Sequence, residues 1–354
     1  MAHARTLAQA YRQFAAAGTS SLYQRVAVAL SESTAALRAI EQAPARQRRP
    51  AVILAALHDL ALAGRAPALA AAYAAGDGDA AAAAAVGTLV RMTGPVLAAA
   101  GRWPVRAEES VPHAVLYPAI AAVARRAGAG PVGLIDVGGA AGLNLNVDRV
   151  GISYTGGSVV GDPSSPVQVT CSNVGKQPVP DRAVPPVAFR AVVGPEPVDV
   201  TDPGQARWLR ACLPPDQLDQ PARQARLGAE LALAATAPPR RLAGDPVEIL
   251  PAALAQVPAG ALPVVTTTWA LSRFPLEQRL RFLQRLDAAA TQRPVAWVSV
   301  EGVGVAPAVP TFGDRPASGH SVIGLAVFSH SALRAEAAGR CWSRGRLLAW
   351  LAGP

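Results

Sequence analysis

The chain has 354 residues and a formal charge of +9, with 16% charged and 51% hydrophobic residues. That balance excludes global disorder and permits a large buried core, and the length allows two or three domains. No Gly triplet or heptad persists, which excludes collagen-like and coiled-coil architectures.

Residues 1–129 read as a helical region. Ser20–Ser21 caps a helix carrying Leu22, Val26 and Leu30 at helical spacing, and Pro50 opens another carrying Ile53, Leu57 and Leu60. Asp77-Gly78-Asp79 separates two alanine-rich helices, with Asp79 as the expected cap of the second. A further helix runs from Pro112 to Arg126 and ends at Gly128. The start carries Arg5 and Arg12 without an unbroken apolar run, so no signal peptide is expected. The longest apolar stretch, Ala80–Val90, falls well short of the roughly 20 residues that cross a bilayer. Cys171, Cys212 and Cys341 lack the C-x-x-C spacing of a zinc site and suit a reducing compartment. A cytoplasmic protein without membrane or metal is the expectation.

From Gly130–Pro131 the pattern alternates. Strands are predicted at Val132–Val137, Val187–Val193, Arg241–Leu242, Pro263–Thr267 and Val295–Val300. Helices are predicted at Ala141–Val150, Pro203–Cys212, Pro221–Ala235, Val247–Val257 and Leu276–Thr291. Such alternation gives an α/β domain, 130–354, with a mostly parallel sheet covered on both faces. Residues 152–171 read as an inserted hairpin, and Ser321–Ser329 with Arg346–Trp350 as a closing antiparallel pair.

The chemistry concentrates in Leu134-Ile135-Asp136-Val137-Gly138-Gly139-Ala140-Ala141-Gly142-Leu143-Asn144. A strand ends in an acid, Gly138 permits a tight turn, and Gly139, Ala140 and Ala141 leave room for a ligand at the backbone. Gly142 then opens the expected helix, with free N–H groups at its start. The spacing fails G-x-G-x-x-G, since Ala140 stands where the second glycine belongs. The form (D/E)-x-G-x-x-x-G resembles the first motif of class I S-adenosylmethionine-dependent methyltransferases, although a plain βα turn of another Rossmann-like sheet would read alike. Gly244-Asp245-Pro246 resembles the third motif, whose Asp approaches the adenine amino group; a plain helix N-cap is the other reading. Thr267, Thr268 and Trp269 end a strand where the fourth motif falls, with Trp269 either stacking on a ligand or filling a core.

The likeness extends further. Val198-Asp199-Val200-Thr201-Asp202-Pro203 and Ala206-Arg207-Trp208-Leu209-Arg210-Ala211, with the glycine motif, are similar to a bacterial family of unknown function common in actinobacteria, with helices ahead of a methyltransferase-like core. The resemblance spans roughly Ser21 to Leu351. It implies a Rossmann-like, class I methyltransferase-type sheet with an all-helical N-terminal region. It also implies S-adenosylmethionine held by Asp136, Gly138, Gly139, Ala140, Gly142 and Asn144, with Glu196 on the ribose and Asp245 near the adenine. The chain departs from the family pattern in three places. Gly194 replaces a ribose-binding Asp, Trp342-Ser343-Arg344-Gly345 replaces a His-Pro-His-Gly string, and Glu108–His113 matches its Asn-Glu segment only in Glu109.

The substrate expected is a small molecule near Glu109, His113, Thr267, Thr268 and Trp269, beneath an N-terminal helical lid. The alternative is a catalytically degenerate relative that binds a ligand or partner. Glu109 and His113, four apart, also read as a capping turn, and His58-Asp59 as a hydrogen-bonded helix face. Nucleic-acid binding is not expected. Lys176 is the sole lysine, the arginines are dispersed apart from Arg46, Arg48 and Arg49, and no basic–aromatic stripe is visible.

Overall fold

The computed structural model describes residues 6–18, 20–106, 112–157, 159–216, 220–330 and 332–353. They fall into two compact units, one of residues 1–107 and 201–228, the other of 108–200 and 229–354.

The first unit opens with α1 (Leu7–Ala17), started by a capping box in which Thr6 and Gln9 satisfy each other's backbone N–H groups. Then come α2 (Ser21–Glu32), α3 (Thr34–Glu41), α4 (Pro50–Leu62), α5 (Pro67–Ala75), α6 (Gly78–Arg91) and α7 (Thr93–Arg102). Ser20 caps α2 as expected. Asp77, not Asp79, caps α6, because its Oδ1 accepts the N–H groups of Asp79 and Ala80 at 3.1 and 3.0 Å. In α4 every residue from Val52 to Ala61 is buried, the mark of a helix at the centre of its bundle.

The second unit starts with α8 (His113–Arg126), terminated at Gly128 with φ of 61°. The chain continues through β1 (Val132–Val137), β2 (Gly151–Tyr154), β3 (Val159–Gly161), β4 (Gln168–Asn173) and β5 (Val187–Gly194). It returns to the first unit for α9 (Pro203–Ala211), and α10 (Gln220–Thr236) has residues in both. Next follow β6 (Arg240–Ala243), α11 (Pro246–Ala255), β7 (Leu262–Thr268), α12 (Leu276–Ala289), β8 (Val295–Gly302), β9 (Ser321–Ser329), β10 (Ala332–Trp342) and β11 (Leu347–Trp350). The boundary expected at 129/130 therefore moves. Helix α8 shares a hydrophobic core with β1, β7 and β8, and residues 201–228 contribute Trp208 to the core of the first unit.

Among the described residues the strands form one eleven-stranded mixed sheet ordered β3-β2-β4-β11-β10-β9-β8-β7-β1-β5-β6. Strands β6, β5, β1, β7 and β8 are mutually parallel. Strands β8 to β11 form an antiparallel meander, and β2 pairs with β3 in the expected hairpin. Side chains alternate between faces: Leu134, Val264 and Val298 pack with α8, while Ile135, Val265 and Trp297 pack with α11 and α12. The outermost strands are short. In β3 Val159 is exposed, and in β6 Arg240 and Arg241 are exposed.

Two further expectations differ from the structure. The helix predicted at Ala141–Val150 is a 3-10 run, Leu143–Arg149, with non-helical dihedrals at Asn146. The Asn146 side chain competes with the helix, donating to Leu143 O and accepting from Arg149 Nη1. Strand β10, between the two predicted closing strands, was not expected; both predicted strands are present, but they pair with β10 rather than with each other. No single helix among the described residues is long and apolar enough to cross a membrane.

Candidate functional site

Among the five parallel strands, the chain moves from β1 outward on one side to β5 and β6, with β2–β4 laid down between at the far end of the sheet, and later on the other side to β7 and β8. The strand order therefore reverses at β1/β7, and the crevice at the carboxyl ends there is where open α/β sheets take ligands.

Asp136 sits at that point, in register with Thr266 of β7 and Val192 of β5. It is buried, and the Thr266 hydroxyl donates to its Oδ1 at 3.3 Å while Oδ2 has no hydrogen-bond partner. Burial pushes its carboxyl up to about 6, against hydrogen bonds from Thr266 and Asn144 and the nearby charge of Arg273. Gly139 folds directly over this carboxylate, since a Cβ there would lie 2.1 Å from Oδ2. Gly138 and Gly142 both adopt left-handed conformations, with φ of 83° and 64°. A Cβ on Gly142 would meet Leu145, Pro239 and Val192 at 3.0–3.3 Å, so the turn needs glycine for conformation and for room.

Backbone hydrogen bonds knit the neighbouring loops to this turn. Gly138 N donates to Val193 O at 2.9 Å, Val198 N to Ala140 O at 2.8 Å, and Gly244 N to Gly194 O at 2.9 Å. The segments bearing Asp136, Gly138–Gly142, Glu196 and Asp245 thus stand side by side on one rim. Glu196 is exposed between Pro195 and Pro197. Exposed Asp245 caps α11, its Oδ1 accepting from Val247 N at 2.9 Å and Glu248 N at 3.2 Å. Its Oδ2 accepts from Gln278 Nε2 at 3.4 Å.

At the end of β7, Thr267 is buried and accepts from Trp297 Nε1 at 3.0 Å, while the buried Thr268 hydroxyl lacks a partner. Trp269 has φ of 51°, a strained backbone for a bulky residue. It is held by its Nε1 donating to Ser321 Oγ at 2.9 Å, and the Arg344 guanidinium lies 5.5 Å from its ring centroid. His113 is buried at the start of α8, its Nε2 3.0 Å from Leu143 O just after the glycine turn, and its Nδ1 3.9 Å from Glu230 Oε1. Glu109 lies outside the described residues.

Two side chains central to the site were not anticipated. Glu301, buried at the end of β8, accepts from Ala270 N and Leu271 N, each at 2.9 Å, and so holds the loop after β7; its Oε2 is unpartnered. Burial raises its carboxyl to about 7, against those N–H groups and Arg273. Arg273 reaches back across the turn, its Nη2 donating to Gly138 O at 2.7 Å. A signal existed for Glu301: Val300-Glu301-Gly302 ends an apolar strand in an acid just ahead of a glycine, much as Asp136-Val137-Gly138 does.

Elsewhere, His58 and Asp59 are structural: His58 Nδ1 lies 3.2 Å from Ala211 O, and Asp59 pairs with Arg207 Nε at 2.7 Å. The three cysteines are free, and no cluster of metal-ligating side chains occurs among the described residues. No curated protein and no solved structure matches the chain. One family model does, over residues 8–350, and the chain belongs to that family, DUF2332, described as uncharacterized proteins conserved in bacteria.

Proposed function

We infer that the glycine turn binds S-adenosylmethionine and that the protein is a methyltransferase-like protein acting on a small molecule. One observation carries this reading: a buried acid, one oxygen of which has no hydrogen-bond partner and lies against the Gly139 backbone, at the point where the strand order of the sheet reverses. The five parallel strands run in the order third, second, first, fourth, fifth, as a Rossmann-type sheet does, which supports a methyltransferase-type core.

The residues fit such a ligand in part. Asp136 Oδ2 is an acceptor for an ammonium donor, and Glu196 stands on the rim for a ribose. Gly194 leaves space, since a Cβ there would meet only Gly139 O at 3.7 Å. Asp245 keeps one carboxylate oxygen outside its capping bonds. Bound there, S-adenosylmethionine supplies an electrophilic methyl group. The chain's own part is to orient it, to hold the rim loops together through Glu301 and Arg273, and to exclude water.

A second reading, a non-catalytic ligand- or partner-binding protein, is favoured by Arg273 lying over Gly138 and by Gly194 in place of an acid. Calorimetric titration with S-adenosylmethionine and its demethylated product tests the first reading. Binding is expected, with Asp136→Asn weakening it about tenfold or more. No heat at about 1 mM ligand would overturn it. Binding without transfer to any acceptor in a radiolabelled methyl screen would favour the second.

A further inference from the structure

Helix α8 links two regions of the second unit. Its first residue, His113, touches Leu143 beside the glycine turn, and its 14 residues carry the chain about 20 Å to Arg125 and Arg126 at the far end. Beside its later turns lies a cavity of about 630 Å³, within the range that takes small ligands. Its deeper walls are apolar: Ala121 and Ala122 of α8, with Tyr154, Val179 and Trp350. Three arginines, Arg125, Arg126 and Arg182, also line it, against the single acid Asp181.

The wall formed by the connection 174–186 is built rather than loose. Val174 N donates to Leu348 O at 2.8 Å, Gly175 N to Asn173 Oδ1 at 3.0 Å and Asn173 Nδ2 to Gln177 O at 2.9 Å. Pro178, Pro180, Pro185 and Pro186 fix its dihedrals, and Val179 is buried. A long connection without helix or strand, held in this way, is of the kind that proteins keep for binding. One polar group of the lining is left over. The indole N–H of Trp350 is buried without an acceptor, whereas the Tyr154 hydroxyl is satisfied by Ala114 O at 2.6 Å.

The charge pattern selects the ligand. Arg126 is already paired with Glu336, the single lining acid Asp181 lowers the remaining positive charge by one, and the carboxyl end of α8 contributes partial negative charge. The remaining field suits one negative charge better than a phosphate dianion, and the apolar walls require a hydrophobic body.

We propose that this cavity is a second ligand site, separate from the glycine turn, for a carboxylic acid with an aliphatic or aromatic body, its carboxylate held by Arg125 and Arg182. The test is binding of octanoate and phenylacetate to the full chain by calorimetry, beside octanol and 2-phenylethanol. At least one acid is expected to bind, about tenfold or more tighter than its alcohol. Arg125→Ala and Arg182→Ala, both at exposed positions, each weaken that acid several-fold, and Ala121→Phe, which fills the cavity, abolishes binding. Unchanged circular dichroism and melting temperature in the arginine variants separate lost binding from lost folding. Equal affinity for acid and alcohol overturns the proposal. So does undiminished binding by the arginine variants, displacement of the acid by S-adenosylmethionine, or no binding of either acid at about 10 mM.

Discussion

Glu301 shows how a single carboxyl shapes the rim. Raised to about 7 from an ordinary value near 4.5, it binds its proton more readily in the folded than in the unfolded chain. Between those values the native state holds the extra proton, so stability falls as pH rises through the window, by roughly 3 kcal/mol for this group. In Glu301→Gln, where the amide oxygen still accepts from Ala270 and Leu271, that decline is absent. Urea denaturation at pH 4.5 and pH 8 should show the variant gaining roughly 3 kcal/mol on the wild type across the interval; a constant difference would contradict it. Asp136 was legible because an acid before a glycine turn is a sequence-local pattern. Arg273 was not, since its bond to Gly138 joins residues far apart in the chain, which only the pairing of β1 with β7 brings together.

At the scale of elements, the turn after β1 depends on Gly142. Its left-handed backbone and three close neighbours predict that Gly142→Ala costs about 1–2 kcal/mol, measurable as a lowered urea midpoint with an unchanged slope. The parallel strands were legible because β-branched runs between turn residues have few other uses, and β1 coincides with its prediction. Strand β10 was not legible. Ala332–Trp342 contains no β-branched residue and is rich in alanine and arginine, which favour helix in isolation. It is a strand because β9 and β11 pair with it on either side, a case of tertiary context outweighing propensity. The opposite error at Ala141–Val150 has a local cause, the Asn146 side chain bonding to the backbone and to Arg149.

Over the whole molecule, the buried groups His58 in the first unit and Asp136 and Glu301 in the second respond to acid in opposite senses. Burial lowers His58 to about 4 from 6.5, so the first unit is destabilised as pH falls through that range, by roughly 3 kcal/mol when the ring must charge. In the second unit the contribution of Asp136 and Glu301 is lost as pH rises toward 7, so the strands that hold them are destabilised there. Hydrogen exchange corrected for intrinsic rates should show α4 and α9 better protected at pH 7 than at pH 5, and β1, β7 and β8 the reverse. His58→Asn should remove only the first trend, and its persistence there would refute the assignment. The ends of the sheet carry a further consequence. Each terminal strand offers unpaired backbone groups to any other extended chain. Yet β3 spans only three residues and β6 only four, with Arg240 and Arg241 exposed and Arg241 paired with Asp199 at 2.8 Å. A second molecule approaching to extend the ladder meets too few backbone partners at either end, which disfavours growth of the sheet from one molecule to the next.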